Sequence, residues 1–138
     1  MELLDGDGGI ARYQVSLGPG GPGFKRREGD RVTPVGHYRV VNRGPSKHFK
    51  IFMRLDYPNR EDYARFAKLK ALGSLSPDAT IGGDIGIHGG TPGGFNYRAD
   101  VSAPLRDWTL GCIGVEDDEI VAIAKRVADG TPVDIDDE

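Results

Sequence analysis

From Ala11 to Leu17, Tyr13, Val15 and Leu17 alternate with Arg12, Gln14 and Ser16, the two-residue period of a strand with one buried face. Met1 to Leu4 forms the matching arm, and Asp5-Gly6-Asp7-Gly8-Gly9 between them is dense in turn formers, so residues 1–17 are predicted to be a β-hairpin. The Gly/Pro run Gly18 to Gly23 is predicted to serve as a tight turn. Strands are predicted over His37–Asn42, Phe49–Asp56, Ile85–His88, Trp108–Val115 and Thr131–Ile135. Helical spacing appears twice. Residues 59–72 place Tyr63, Phe66, Ala67 and Leu69 on one rough apolar side and end at Gly73. Residues 118–128 carry Ile120, Ala124 and Val127, with Asp117 or Asp118 as cap and Lys125-Arg126 at the end that the helix dipole favours for cations. The order is mostly strands with about two helices. The predicted class is a mainly β domain, a sandwich or barrel decorated by helices, occupying residues 1–138 as a single unit.

Composition sharpens this picture at one point. Glycine supplies 21 of the 138 residues, roughly twice its usual share, and there are 9 prolines, which favours short strands and many turns. Apolar residues at 38% and charged residues at 28% are ordinary for a globular chain. The net charge is −3 and no Lys/Arg run forms a patch, which argues against a nucleic-acid partner. No apolar stretch reaches the length of about 18 residues that spans a membrane. The opening Met1-Glu2-Leu3-Leu4-Asp5 lacks the basic start and apolar run of a signal peptide, and the chain is expected to be a mature domain without its targeting segment.

The candidate chemistry lies in two short segments. Thr109-Leu110-Gly111-Cys112-Ile113-Gly114-Val115 holds the one cysteine, and Ile85-Gly86-Ile87-His88-Gly89-Gly90 holds one of three histidines at a strand end. A thiol near pKa 8.5 is mostly protonated at neutral pH, and a nearby imidazole helps to form the attacking thiolate. Gly111 leaves room for a substrate carbonyl beside the thiol, and the N–H groups of Gly111 and Cys112 are expected to face the oxyanion. Ile85 and Ile87 share one strand face and anchor it, while Gly86 on the other face is expected to leave open space beside His88. Taken alone, a cysteine next to glycine is more often core filling than a nucleophile, and a histidine before a glycine turn is more often a turn residue. His37 and His48 are expected to be bland. One cysteine and scattered histidines also lack the paired ligand spacing of a zinc site, so no metal or cofactor is expected.

Both segments together resemble the active-site signature of the L,D-transpeptidase (YkuD-type) family, a His-Gly followed some way on by Ser/Thr-x-Gly-Cys. Upstream, Lys25…Gly29-Asp30-x-x-Thr33-Pro34-x-Gly36-x-Tyr38 resembles the family's GD-x-x-TP-x-G-x-Y segment. Leu55-Asp56-Tyr57-Pro58-Asn59 and Gly130-Thr131-Pro132-Val133-x-Ile135 match as well, so the resemblance covers nearly the whole chain. It implies a β-rich enzyme that processes peptidoglycan stem peptides. Cys112 attacks the carbonyl at the L-centre of meso-diaminopimelate, D-Ala leaves, and an amine takes the acyl group in a 3–3 crosslink, an exchanged D-amino acid or an attachment to a wall-anchored lipoprotein. His88 is the base, the Gly89 carbonyl orients it, Thr109 and Trp108 shape the pocket, and Arg106 or Arg98 meets a substrate carboxylate. Carbapenems are the inhibitors implied, and a periplasmic or otherwise exported location follows from the substrate.

This chain departs from the family pattern where many members carry His two residues before the cysteine and Arg two after it. Leu110 and Gly114 stand there instead. A hydrolase of the same fold and a non-catalytic wall-binding domain are the rival readings. Pro34 and Gly36 are expected to be structural, and Asp30 to cap the turn that they follow. The long glycine- and proline-rich stretch 89–107 is expected to act as a lid.

Overall fold

The computed structural model describes residues 1–6, 8–21, 23–90 and 109–137. Its strands and helices are β1 (Glu2–Asp5), β2 (Gly8–Arg12), β3 (Gly36–Ser46), β4 (Lys50–Leu55), α1 (Arg60–Ala71), β5 (Gly86–His88), β6 (Ile113–Gly114), α2 (Asp117–Arg126) and β7 (Pro132–Ile135). The predicted class holds: the chain is mostly β with two helices. β1 and β2 form a separate ribbon, and the other strands form a sheet in the order β6-β5-β4-β3-β7. All neighbours in that sheet are antiparallel except β5 and β6, which run parallel.

One face of the sheet makes the core. Tyr38 and Val40 of β3, Met53 and Leu55 of β4, and Ile87 of β5 point into it, joined by Ile85, Ile113 and Val115. Ile120 and Ile123 of α2 cover this face and are almost fully buried. Three-to-four residue spacing places them on one side of the helix. The carbonyls of Ala124 and Val127, which the end of α2 leaves without helical partners, accept from the Arg43 guanidinium. Along β4 the other set, Phe52 and Arg54, points away from the core.

Several predicted boundaries move, each for a physical reason. The second hairpin arm stops at Arg12 rather than running to Leu17. Tyr13, Val15 and Leu17 still pack on the core, but residue 16 meets the sheet only through a bridge with Gly114, with 2.8 Å bonds in both directions. Of the strand predicted over Trp108–Val115, the described residues 109–115 form one only at Ile113–Gly114. Residues 109–112 curl instead, because Gly111 takes φ +136° and Thr109 bonds to its own loop. Glu116, not Asp117 or Asp118, is the N-cap residue of α2, and its N–H donates to Glu119 Oε2 at 3.0 Å.

Helix α1 corrects the expected apolar side. Tyr63 is exposed and the buried residue of the helix is Asp62. That carboxylate accepts from Tyr38 Oη at 3.0 and 2.9 Å and from the Asn59 N–H at 2.9 Å, while the Asn59 side chain caps the Asp62 N–H at 3.0 Å. The helix is tied down by a polar anchor in place of an apolar stripe. Gly73 follows the helix with φ +71°, the left-handed conformation that glycine takes without strain.

The Gly/Pro run does more than turn. A β-carbon on Gly18 would lie 2.0 Å from the Arg31 carbonyl oxygen and 3.0 Å from Gly111 Cα. Three backbone segments therefore cross at near contact directly behind residues 111–112, which no side chain at position 18 would permit. The 18–33 crossing is fixed by the Gly20 N–H on Arg31 O at 2.9 Å and the Gly18 N–H on Thr33 Oγ1 at 3.0 Å.

Candidate active site

The parallel pairing of β5 and β6 brings the two chemical segments together. Ile87 is in register with Ile113 and His88 with Gly114, and the Val115 N–H donates to the His88 carbonyl at 2.9 Å. Adjacent strands lie about 4.8 Å apart. Cys112, immediately before β6, thus stands beside the start of β5, on the same side of the sheet as His88. The alternation places Ile85, Ile87, Ile113 and Val115 on the core side.

His88 is buried, with 1% of its surface exposed. Its ring lies 4.1 Å from the Phe49 ring centroid and is stacked on Phe52 at 5.8 Å. Phe52 is the residue directly opposite His88 across β4 and β5. His88 Nδ1 is 2.6 Å from the Gly89 carbonyl oxygen. A carbonyl only accepts, so Nδ1 carries the proton and Nε2 is the basic nitrogen of the neutral ring. Burial drives the His88 pKa below its ordinary value, and the Gly89 bond opposes this only in part. Gly89 is held in turn. Its N–H donates to Phe49 O at 2.8 Å, the Gly90 N–H donates to Asp117 Oδ1 at 2.7 Å, and a β-carbon on Gly89 would strike Asp117, Ile120 and Phe49 at under 3.0 Å. The orienting carbonyl is built into the junction between β5 and α2.

Cys112 is half-buried, and its Sγ donates to the Asp84 carbonyl at 3.4 Å. Burial raises the thiol pKa and Asp84 adds to the rise, while a Gly86 backbone bond and the charges of Lys25 and Arg54 lower it. Both shifts favour the uncharged forms, a thiol and a neutral imidazole.

Thr109 is buried and organises the loop that carries Cys112. Its hydroxyl donates to the Cys112 carbonyl at 2.7 Å and accepts from the Gly111 N–H at 3.2 Å, and the Thr109 N–H donates to Leu17 O at 3.2 Å. The Gly111 N–H, expected to face an oxyanion, is thus engaged by Thr109. The Cys112 N–H makes no hydrogen bond among the described residues. The open space expected beside Gly86 is also filled, since a β-carbon there would lie 2.5 Å from Met53 O and 2.6 Å from the Phe52 ring. Gly86 is what lets Phe52 slide under the strand to reach His88.

Cys112 lies on the walls of two cavities. One, of about 620 Å³, is lined by Phe49, Phe52, His88, Thr109 and Leu110 together with Cys112. The other, of about 680 Å³, is lined by Lys25, Glu28, Arg31 and Asp84 as well as Cys112. Leu110, in the place where many family members carry histidine, is 74% exposed at the rim of both. Trp108, Arg106 and Arg98, and the stretch expected to act as a lid, lie outside the described residues, except for Gly89 and Gly90 at its start.

Sequence reasoning missed the aromatic wall and Lys25. Phe49 and Phe52 gain meaning only through the β4–β5 register. Lys25 stood in the matched upstream segment as a motif residue, with nothing to show that it would be buried. Among the described residues no group of three or more His, Cys, Asp or Glu side chains converges as for a metal ion, and no helix is long and apolar enough to cross a membrane.

The fold is a β-rich sheet with two helices, in which a histidine ends one strand and a cysteine immediately precedes the parallel neighbour of that strand. Residues 1–135 match the model of the YkuD L,D-transpeptidase catalytic domain, and the chain belongs to that family. The chain is similar in structure to the helical cell shape determining protein Pgp2 from Campylobacter jejuni, at 25% identity and a TM-score of 0.63, over 94% of this chain and 39% of that one. Bd1075 from Bdellovibrio bacteriovorus shares the fold at 23% identity and a TM-score of 0.59, over 94% of this chain and 40% of the other. The chain spans about two fifths of the length of either. No curated protein matches it.

Proposed function

We propose that this domain is a cysteine acyltransferase of peptidoglycan, an L,D-transpeptidase in which Cys112 is the nucleophile and His88 the general base. The observation that carries the reading is that the thiol and the imidazole line one cavity while the Gly89 carbonyl holds the ring with its proton on Nδ1. Nε2 takes the thiol proton as sulfur attacks the carbonyl at the L-centre of the diaminopimelate–D-Ala bond. The Cys112 N–H donates to the oxygen as charge develops there. The imidazolium returns its proton to the departing D-Ala amine, which leaves a thioester on Cys112. An incoming amine attacks the thioester carbonyl as Nε2 takes its proton, the C–S bond breaks, the acyl group stays on the amine, and Nε2 returns the proton to the Cys112 sulfur. Gly89 is the orienting group, Thr109 shapes the nucleophile loop, and Gly111 provides the chain reversal in that loop.

Arg106, Arg98 and Trp108 complete the proposal as substrate-binding and pocket residues, on the strength of the family pattern. Peptidoglycan stems are the substrate class, a wall-attached lipoprotein is one acceptor, and carbapenems acylate the same sulfur. The domain works where peptidoglycan lies, outside the inner membrane. Likeness to a cell-shape determining protein supports a role in wall remodelling that sets cell form.

The test is intact mass and product analysis after incubation with a disaccharide-tetrapeptide, with Cys112→Ala as control. An adduct that has lost D-Ala and is absent in the variant establishes the acyl-enzyme. Crosslinked dimers or D-amino acid exchange identify the transferase, tripeptide alone identifies a hydrolase, and an inert wild-type protein that also resists carbapenem acylation sinks the catalytic reading.

A further inference from the structure

Lys25 is a buried cation that the reaction sketched above does not use. Its side chain is 4% exposed, which is rare for lysine unless a partner holds the charge. Nζ donates to Asp30 Oδ1 at 2.6 Å and to Val32 O at 3.3 Å. Asp30 accepts three further bonds, from the N–H groups of Arg26 at 2.8 Å, Arg27 at 3.3 Å and Val32 at 3.0 Å. Burial works against the Asp30 charge, yet Lys25 and these N–H groups outweigh it and hold the carboxyl below its ordinary pKa. The Asp30 turn therefore fixes an ammonium in one place.

That place adjoins the nucleophile. Lys25 Nζ would lie 3.6 Å from a β-carbon on Gly111, the residue before Cys112, and Lys25 and Cys112 line the same cavity. The charges facing the thiol come from several elements. Asp84, from the segment before β5, disfavours the thiolate, while Arg54 of β4 and Lys25 favour it. Arg54 is spent largely on Asp84, at 2.5 Å. Glu28 and Arg31 lie on the wall of the same cavity, and His88 lines the other.

We propose that Lys25 is a positioning residue for the nucleophile, a buried ammonium pinned behind Gly111 by Asp30 and Val32 that stabilises the Cys112 thiolate. The proposal deepens the acyl-transfer reading, since it rests on Cys112 being the reactive group, but it makes no use of the substrate. It also assigns the Asp30 turn a chemical purpose besides its structural one.

The test is the pH dependence of alkylation of Cys112, the chain's single cysteine, by iodoacetamide in the intact domain. Lys25→Met removes the cation at similar volume and is expected to move the thiol titration up by about one pH unit, with about tenfold slower alkylation at neutral pH. Asp30→Asn keeps the cation, removes its counter-charge, and is expected to move the titration down. Lys25→Met/Asp30→Asn removes both charges without leaving Asp30 unpaired, and is expected to titrate above wild type. A packing role alone shifts both single variants the same way or neither. An unchanged midpoint in Lys25→Met or in the double variant, or an Asp30→Asn midpoint that fails to fall, overturns the proposal. If the variants lacking Lys25 do not fold, as judged by circular dichroism, the direction of the Asp30→Asn shift decides alone. Iodoacetamide needs no peptidoglycan, so these outcomes are independent of whether a tetrapeptide is the substrate.

Discussion

Thr109 holds Cys112 by the cysteine's own carbonyl. Its hydroxyl is both donor to Cys112 O and acceptor for the Gly111 N–H, so one oxygen closes the curled segment that presents the thiol. Thr109→Val keeps the shape and loses both bonds. The expected cost is about 1–3 kcal/mol of stability, because the loop's N–H and carbonyl groups are left buried without partners. Acylation of Cys112 is expected to slow by about tenfold or more, since small displacements of a reacting group are expensive. Denaturant unfolding and the rate of carbapenem or tetrapeptide adduct formation measure the two effects, and a variant with wild-type acylation would show that the loop does not need its clasp. The residue scale is also where the sequence was most legible. Cys112 and His88 were singled out by the family signature that they complete together, since beside glycine each alone reads more readily as core filling or a turn residue, and the structure brings their segments side by side. Lys25 and Asp62 were illegible, because a charged residue in a linear sequence looks solvent-bound until partners such as Asp30, or Tyr38 and Asn59, are seen around it.

Among the elements, α1 depends on a carboxylate. Asp62 is buried against Tyr38 and Tyr57, and burial together with the Asp62 charge raises both phenol pKa values far above the ordinary. Both phenols therefore stay protonated, and Tyr38 serves as donor to Asp62. Asp62→Ala is expected to destabilise the protein by about 3 kcal/mol through the lost cap, the orphaned Tyr38 hydroxyl and the unpaired Arg65. The chemistry should survive: alkylation of Cys112 per folded molecule is expected to match wild type, and a parallel loss would tie α1 to the site. The strand errors have the same origin as the helix error. Tyr13, Val15 and Leu17 alternate because they pack on the core beside the sheet, and the apolar run around Cys112 does not extend into a strand because Gly111 reverses the chain. Periodicity records which side faces the core, and the ladder that a segment joins is decided elsewhere. That is also why Phe49 and Phe52 went unread, since the wall that they make exists only in register with His88.

For the whole molecule, the buried imidazole and the half-buried thiol each add a limb to the dependence of stability on pH. The folded His88 pKa lies below the ordinary 6.5, so the unfolded chain binds the proton more readily, and stability present above pH 6.5 is lost as the pH falls through the folded value. The folded Cys112 pKa lies above the ordinary 9.0, so stability present below pH 9.0 is lost as the pH rises through its folded value. These two groups therefore contribute a loss below about pH 6.5 and a loss above about pH 9, with little change from either of them between. Cys112→Ala should remove the thiol's share of the alkaline decline and leave the acid side intact. Thermal unfolding across pH checks both limbs, and an unchanged alkaline limb in the variant would count against the buried thiol as its source.

The strand order has one more consequence, which concerns synthesis. β3, β4 and β5 form the middle of the sheet, and both flanking strands, β6 and β7, come from the last part of the chain. A nascent polypeptide that has emerged only as far as β5 has made its base and the centre of its sheet, with two edges open to pairing with any other extended segment. Cys112, which lies beyond β5, has not yet joined it. The segment that brings Cys112 alongside His88 also closes both edges, β6 against β5 and β7 against β3. The pairing of the two segments and the covering of both sheet edges therefore depend on the same late stretch of this domain, residues 112–135.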